Sequence, residues 1–394
     1  MQILAISSHY HASSFTFAAM RIAVNTRFLL KNNLEGYGYY IHELMQRITQ
    51  THTQHEFLFV FDRPFDAAFI YGKNVTAKVL KPTARHALSF KIWYDIQFTL
   101  AAKKFKAHVM VSLDGFCSLT TSIPQVLAVH DLAFIHHPKL IPFWHLWYYK
   151  LYQKKFIQKA AQLVTVSEFS KQDIIHQYKI NSNKIHIVGN APRKNFVPIN
   201  SANKEYAKKH YAEGCEYFLF VGGIHPRKNL LQLLKAFSLF KKRQLSSMKL
   251  LVAGKLAWQY SDIIEKLKTY KYRDDVFLLD YLPEGELAKV TAAAYALIFP
   301  SVFEGFGVPI IEAMQSGVPV ACSNTSSMPE VAGNAALFFD PLNETDIAQQ
   351  MMLLYKDETL RTQLIQQGFE NAKQYSWNTS AQQLWQIIEQ TATI

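Results

Sequence analysis

The chain predicts an α/β protein of two parallel-sheet domains facing across a cleft. Three observations carry that expectation. Short β-rich runs alternate with helix-length connections along the 394 residues, the pattern of parallel sheets wound by helices on both faces. Six such runs precede residue 190 and six follow residue 216, and the stretch between them is polar and holds two prolines. The nonapeptide EGFGVPIIE (304–312) directly follows an apolar run at 292–301, which puts it in a strand-to-helix turn.

In chain order, Met20 is followed by RIAVNTRFL (21–29), which reads like a protein start entering a first strand. Residues 1–19 are expected to be an extension outside the fold, the alternative being an edge strand at Ile3–Ile6; they lack the basic region of a signal peptide. EFLFVFD (56–62), AHVMVSL (107–113), QVLAVHD (125–131), QLVTVSE (162–168) and KIHIVG (184–189) complete a first domain, 20–198. The stretch 190–216 reads as the linker. YFLFVGG (217–223), KLLVAG (249–254), VFLLDY (276–281), YALIFPS (295–301), VPVACS (318–323) and AALFFD (335–340) belong to a second domain, 199–375. In 376–394, Leu384, Ile387 and Ile388 share one helix face, with Trp385 just off it, and this helix is expected to return to the first domain. The halves are thus Rossmann-like, and ligands of such sheets bind beyond the carboxyl ends of the strands.

Composition sets further bounds. A hydrophobic content of 49% with 18% charged residues describes a packed globular chain. Cys117, Cys215 and Cys322 are far apart and form no metal spacing, which suits a reducing cytoplasm. No apolar run reaches the roughly 18 residues of a membrane span. The net charge is +12, and residues 81–160 hold 11 Lys and Arg against three acids. Such a field favours an anionic partner: a phosphate-bearing substrate, a membrane surface or nucleic acid. No nucleic-acid motif accompanies it.

Two motifs carry chemistry. Pro309 suits the first turn of a helix, so Glu304 falls in the turn and Glu312 in the opening of that helix, while Gly305 and Gly307 let backbone approach a ligand. A helix start offers unpaired N–H groups and a positive dipole end to phosphate, and flanking carboxylates can accept from sugar or ribose hydroxyls. The second motif, FVGGIHPRKNLLQLLKAF, follows the first strand of the second domain. Asn229 is an acceptable cap for a helix beginning near Leu230, which holds Arg227 and Lys228 at the same sheet edge. They are either a solvated loop pair or cations for a diphosphate.

EGFGVPIIE, GGIHPRKN, VHDLAFIHHP (129–138) and TVSEFSKQDI (165–174) together resemble glycosyltransferase family 4, retaining enzymes of GT-B fold, over nearly the whole chain from Met20. The resemblance implies transfer of a sugar from a nucleotide diphosphate sugar to an acceptor hydroxyl. It implies that Glu304 faces the donor sugar, Glu312 binds the ribose hydroxyls, and the backbone of Phe306, Gly307 and Val308 contacts sugar and phosphate. Lys228 would hold the diphosphate, and His130 would stand near the reacting centre; a structural pair with Asp131 is the other reading of His130. Gly36 and Gly38 match a glycine-rich turn whose backbone nears the phosphates, though a simple helix entry explains them equally. Ser167 and Glu168 resemble a cleft segment, with a helix cap at Ser167 or Ser170 as the alternative. Many members carry an arginine where this chain has Gly223, and Arg227 is expected to substitute.

No cofactor or metal is expected. D-x-D is absent, and neither His52/His55 nor His136/His137 has a second ligand pair. The basic, aromatic segment 142–160, with Trp144, Trp147, Tyr148 and Tyr149 among Lys150, Lys154, Lys155 and Lys159, is either a peripheral membrane contact or a helix packed on its own domain. The membrane reading implies a lipid-linked saccharide acceptor, a cytoplasmic place at the inner face of the membrane, and work in surface polysaccharide or glycolipid synthesis. Mannose is the sugar that the style of the motifs suggests. The rivals are an enzyme that hydrolyses or epimerises the nucleotide sugar, and a non-catalytic subunit that binds it.

Overall fold

The computed structural model describes residues 19–31, 34, 36–84, 86–255, 265–267 and 269–393. Of the expected extension, residues 1–18 lie outside the described residues, as does the alternative strand Ile3–Ile6. The first sheet comprises β1 (Arg21–Asn25), β2 (Glu56–Phe61), β3 (Val75–Val79), β4 (Val109–Ser112), β5 (Gln125–Ala128), β6 (Gln162–Thr165) and β7 (Ile185–Ile187), in the order β3-β2-β1-β4-β5-β6-β7. The second comprises β8 (Tyr217–Val221), β9 (Lys249–Ala253), β10 (Val276–Asp280), β11 (Ala296–Phe299), β12 (Val320–Ser323) and β13 (Ala336–Phe339), in the order β10-β9-β8-β11-β12-β13. Among the described residues every strand pair in both sheets is parallel. Central strands such as β8, YFLFV, are buried at all five positions because helices cover both faces.

The sheets hold one strand more than the apolar runs suggest. β3, VTAKV, is an edge strand that exposes Thr76 and Lys78, so it lacks a hydrophobic run. The stretch expected to be a linker also contains a helix, Ser201–Tyr211, capped by the Asn200 side chain on the N–H of Asn203. Residues 190–200 cross over without helix or strand, and residues 212–216 form a turn into β8.

The first helix, Tyr37–Thr51, buries Tyr40, Ile41, Leu44, Met45 and Ile48, an i, i+1, i+4, i+5, i+8 stripe. The C-terminal helix, Trp377–Ala392, lies against it: Arg47 Nε donates to Asn378 Oδ1 at 2.8 Å, and Trp385 stacks on His52 with ring centroids 3.9 Å apart. Leu384 and Ile388 are completely buried there, each burial stabilising by roughly 1.5–3 kcal/mol. His52 and His55 are therefore packing partners of Trp385, and His55 Nδ1 also accepts from the Met20 N–H at 2.9 Å.

Candidate active site

Each sheet reverses its winding once, between β1 and β4 in the first and between β8 and β11 in the second. Crevices open beyond such switch points, and here the two crevices face each other. Together they form a cleft of about 990 Å³ whose walls include Tyr37 and His130 of the first domain and Lys228, Glu304 and Glu312 of the second. Trp377, opening the C-terminal helix, also lines it.

The strand ends β8 and β11 bring the two sequence motifs together. Lys228 Nζ donates to Glu304 Oε1 at 2.5 Å, Arg227 Nη1 donates to Glu304 Oε2 at 3.1 Å, and Ser301 Oγ donates to Oε1 as well. Burial by itself would raise the Glu304 carboxyl; the charges of Arg227 and Lys228, with the Lys228 and Ser301 hydrogen bonds, outweigh it and bring the pKa down to about 2. Glu304 is thus ionised and holds two cations while offsetting only one of their charges, which leaves the cluster with a net positive charge. Burial lowers the Lys228 ammonium, and the Arg227 charge adds to that. Arg227 is further fixed by the Phe303 carbonyl at 2.6 Å. Asn229 precedes the helix Leu230–Gln244 as expected, but in a left-handed conformation with no side-chain cap bond. Its amide instead ties two loops, donating to the carbonyls of Pro300 at 3.1 Å and Pro341 at 2.6 Å.

Gly307, with φ +103°, precedes the helix Val308–Gln315, which has Pro309 in its first turn. Phe306, Gly307 and Val308 line the cleft, and the first-turn N–H groups have no partner within the helix. Glu312 is buried and held by a residue that sequence reasoning missed. Arg193, in the crossover after β7, grips it with both prongs: Nε to Oε1 at 2.6 Å and Nη2 to Oε2 at 2.9 Å. The guanidinium also lies over the Phe196 ring at 4.4 Å and the Tyr39 ring at 5.6 Å. A fork of this kind fixes the carboxylate plane while leaving it further lone pairs.

On the opposite wall His130 follows β5. Its Nε2 lies 2.9 Å from the Leu113 carbonyl, which can only accept, so Nε2 carries the proton and Nδ1 is an acceptor. Burial lowers the imidazole pKa and keeps it neutral. Tyr37 and Tyr40 set their rings edge-on to it, centroids 4.6 and 4.9 Å away. Gly36 stands at the cleft wall with φ +44°. Gly38 does not line the cleft; a Cβ there would sit 2.4 Å from the Phe28 carbonyl, so its glycine serves helix-to-loop packing. That loop is anchored by buried Arg27, whose Nε donates to Asp114 Oδ2 at 2.7 Å.

Gly305 likewise has a reason other than ligand approach. A Cβ on it would meet the His130 carbonyl at 2.3 Å, so the absence of a side chain lets the two domains pack closely at this point. Ser167 is the helix cap of the second reading and is not among the residues lining the cleft, although its hydroxyl reaches Gly305, which is. It caps the helix Glu168–Tyr178 through the Ser170 N–H at 3.1 Å and donates to the Gly305 carbonyl at 2.7 Å. Glu330 of the second domain accepts from the N–H groups of Glu168 and Phe169 at 2.7 and 2.8 Å. His136 is bonded to Asp173 at 2.8 Å and stacks on Phe303. Among the described residues no group of three or more His, Cys, Asp or Glu is placed to hold a metal ion.

Comparison with known proteins bears on the family and the fold. Residues 202–371 match the family model of glycosyl transferases group 1, and residues 34–191 match that of glycosyltransferase family 4. The chain is 31% identical over 260 residues to O-antigen chain mannosyltransferase B of Escherichia coli, covering 66% of this chain and 68% of that protein. It is 29% identical over 285 residues to O-antigen chain mannosyltransferase RfbU of Salmonella typhimurium, covering 70% and 73%. Among solved structures it superposes on WaaG, a glycosyltransferase involved in lipopolysaccharide biosynthesis, with a TM-score of 0.74 at 14% identity, covering 93% of this chain and 99% of that one. Anabaena HepE in complex with UDP-glucose gives 0.73 at 15% identity, covering 94% and 100%.

Proposed function

The chain belongs to the group 1 glycosyltransferases, and from that premise we propose that it moves mannose from a nucleotide diphosphate sugar to a hydroxyl of a growing surface polysaccharide, with the anomeric configuration kept. The observation that carries the reading is the Arg227–Glu304–Lys228 cluster lining the cleft at the β8/β11 switch point. The two cations meet the donor diphosphate and stabilise it as it leaves. With the positive end of the helix Val308–Gln315 they supply the charge that a metal would otherwise bring, so no metal is required. Glu304 fixes both cations and faces the donor sugar. Glu312, oriented by Arg193, accepts from the ribose hydroxyls. Neutral His130 offers Nδ1 to a sugar hydroxyl near the reacting carbon, and Gly36 borders the phosphates. Attack comes from the face the diphosphate leaves, its departing oxygen taking the proton of the acceptor hydroxyl.

The names of the relatives support the substrate class: both curated ones are O-antigen mannosyltransferases. The acceptor is proposed to be a lipid-linked saccharide, met at the inner face of the cell membrane. The helix Phe143–Lys159 supports that contact, since Trp144, Trp147 and Leu151 are exposed at i, i+3 and i+7. Phe143 is exposed beside Trp144, while Tyr148 is buried and Tyr149 stacks on Phe134 and Phe116. Among the described residues no helix is long and apolar enough to cross a membrane.

The test is a thermal-shift series with UDP, GDP, ADP and dTDP, with and without EDTA, followed by transfer from the mannose conjugate of the stabilising nucleotide to a lipid-linked saccharide. One nucleotide should stabilise the protein equally with and without EDTA, and mannose should appear in the lipid fraction. No stabilisation by any of the four removes the donor site; stabilisation without transfer leaves a binding subunit.

A further inference from the structure

We infer that the membrane-facing surface is built from two helical stripes, and that the second, Leu88, Ile92, Ile96 and Leu100, docks on an anionic lipid bilayer beside the aromatic helix. The inference rests on the membrane contact proposed above and adds a separate element to it. The segment runs as a helix Ala87–Lys91, a wide π-helical turn Ile92–Phe98 and a helix Thr99–Phe105 without a break. Its inward face is already satisfied by buried Trp93, Tyr94, Phe98, Ala101 and Ala102. Its outward face is nonetheless apolar: Leu88 is 73% exposed, Leu100 57% and Ile96 49%, with Ile92 partly exposed between them. Steps of four residues run ahead of an α-turn and fall behind a π-turn, so the π segment keeps the four residues in one line.

Two apolar faces on one surface helix mean that something other than water is expected on the outer one. Charge says what. The segment carries Lys91, Lys103, Lys104 and Lys106 against a single acid, Asp95. That acid is buried and bonded to Lys91 Nζ at 2.7 Å and to the Leu119 N–H at 2.7 Å, so every outward charge is positive. The aromatic helix has no acid at all. Exposed apolar side chains whose outward acid–base partners on these elements are lysines and no carboxylates match a layer of anionic headgroups over hydrocarbon, into which the stems insert while the ammonium groups stay at the phosphates.

The stripes adjoin. Phe90 and Tyr148 rings lie 5.6 Å apart, and Lys91 Nζ and Lys155 Nζ stand 4.9 and 5.4 Å from the Tyr152 ring centroid, so lysines from both elements meet at the seam. A lone amphipathic helix can roll about its axis on a bilayer; two helices resting on it fix the tilt of the molecule, and with it the direction in which the cleft faces the membrane.

The experiment is co-sedimentation of the full chain with vesicles of phosphatidylcholine alone or mixed with about one third phosphatidylglycerol. Wild type should partition to the mixed vesicles. The variant Leu88→Ser/Ile96→Ser/Leu100→Ser should lose about tenfold in partitioning while keeping its stabilisation by nucleotide. The single variant Leu88→Ser, at the most exposed position of the stripe, should show a smaller loss in the same direction and serves if the triple variant does not fold. Undiminished partitioning of these variants, alongside a loss in Trp144→Ser/Trp147→Ser, overturns the second stripe and leaves the aromatic helix as the contact. Failure of wild type to bind either vesicle overturns both. A wild-type dimer without lipid that Leu88→Ser disrupts would make the surface an interface between copies and overturn the lipid assignment.

Discussion

Arg193 and Glu312 show how one side chain can fix the plane of another. The guanidinium occupies one edge of the carboxylate and leaves the remaining lone pairs in a fixed plane, the geometry that paired ribose hydroxyls need. Arg193→Ala should therefore erase a preference and not merely weaken binding. Wild type should bind the ribonucleoside diphosphate about tenfold tighter than its 2′,3′-dideoxy form, and the variant should bind both alike, at the dideoxy level. Calorimetric titration measures this, and an equal loss for both forms would assign Arg193 to structure alone. Glu312 was legible from its motif because a glycine turn and a proline place it at a helix opening. Arg193 was not, since a lone arginine in a polar crossover carries no pattern, and its partner lies 119 positions away.

At the scale of elements, the turn between β11 and the helix Val308–Gln315 does two jobs, of which the sequence displays one. The string of glycines announced a close backbone approach, but what approaches Gly305 is the carbonyl of His130. The carbonyl of Gly305 itself accepts from Ser167 Oγ. Gly305→Ala should destabilise by about 1–3 kcal/mol as the overpacked contact is pushed apart, and nucleotide should rescue less of the thermal midpoint than in wild type; a scanning calorimetry trace unchanged from wild type would contradict this. The apolar runs of the sheets were readable because buried parallel strands are apolar on both faces. β3 was not, because Thr76 and Lys78 face solvent at the sheet edge. The helix Ser201–Tyr211 was also hidden: it buries only Ala207, so it lacks the periodic apolar stripe by which helices are recognised.

For the whole molecule, the question is what holds the two domains at this separation. Glu330 is the most direct answer, a carboxylate of one domain capping the first turn of a helix in the other. Such a cap is worth about 0.5–2 kcal/mol where the geometry is good. Glu330→Ala should shift the population toward a more open form, seen as a larger radius of gyration in small-angle scattering, with nucleotide still bound. An unchanged radius with full turnover would show that Ser167 and Gly305 suffice.

The return of the helix Trp377–Ala392 to the first domain also has a consequence during synthesis. The first helix, Tyr37–Thr51, waits for Leu384, Trp385 and Ile388 to cover it, and more than three hundred intervening residues must leave the ribosome before they arrive. The β8–β13 sheet has all its strands by Phe339. The half of the molecule made first is therefore the half completed last, and until then the nascent chain carries an open apolar face that the cell has to shield.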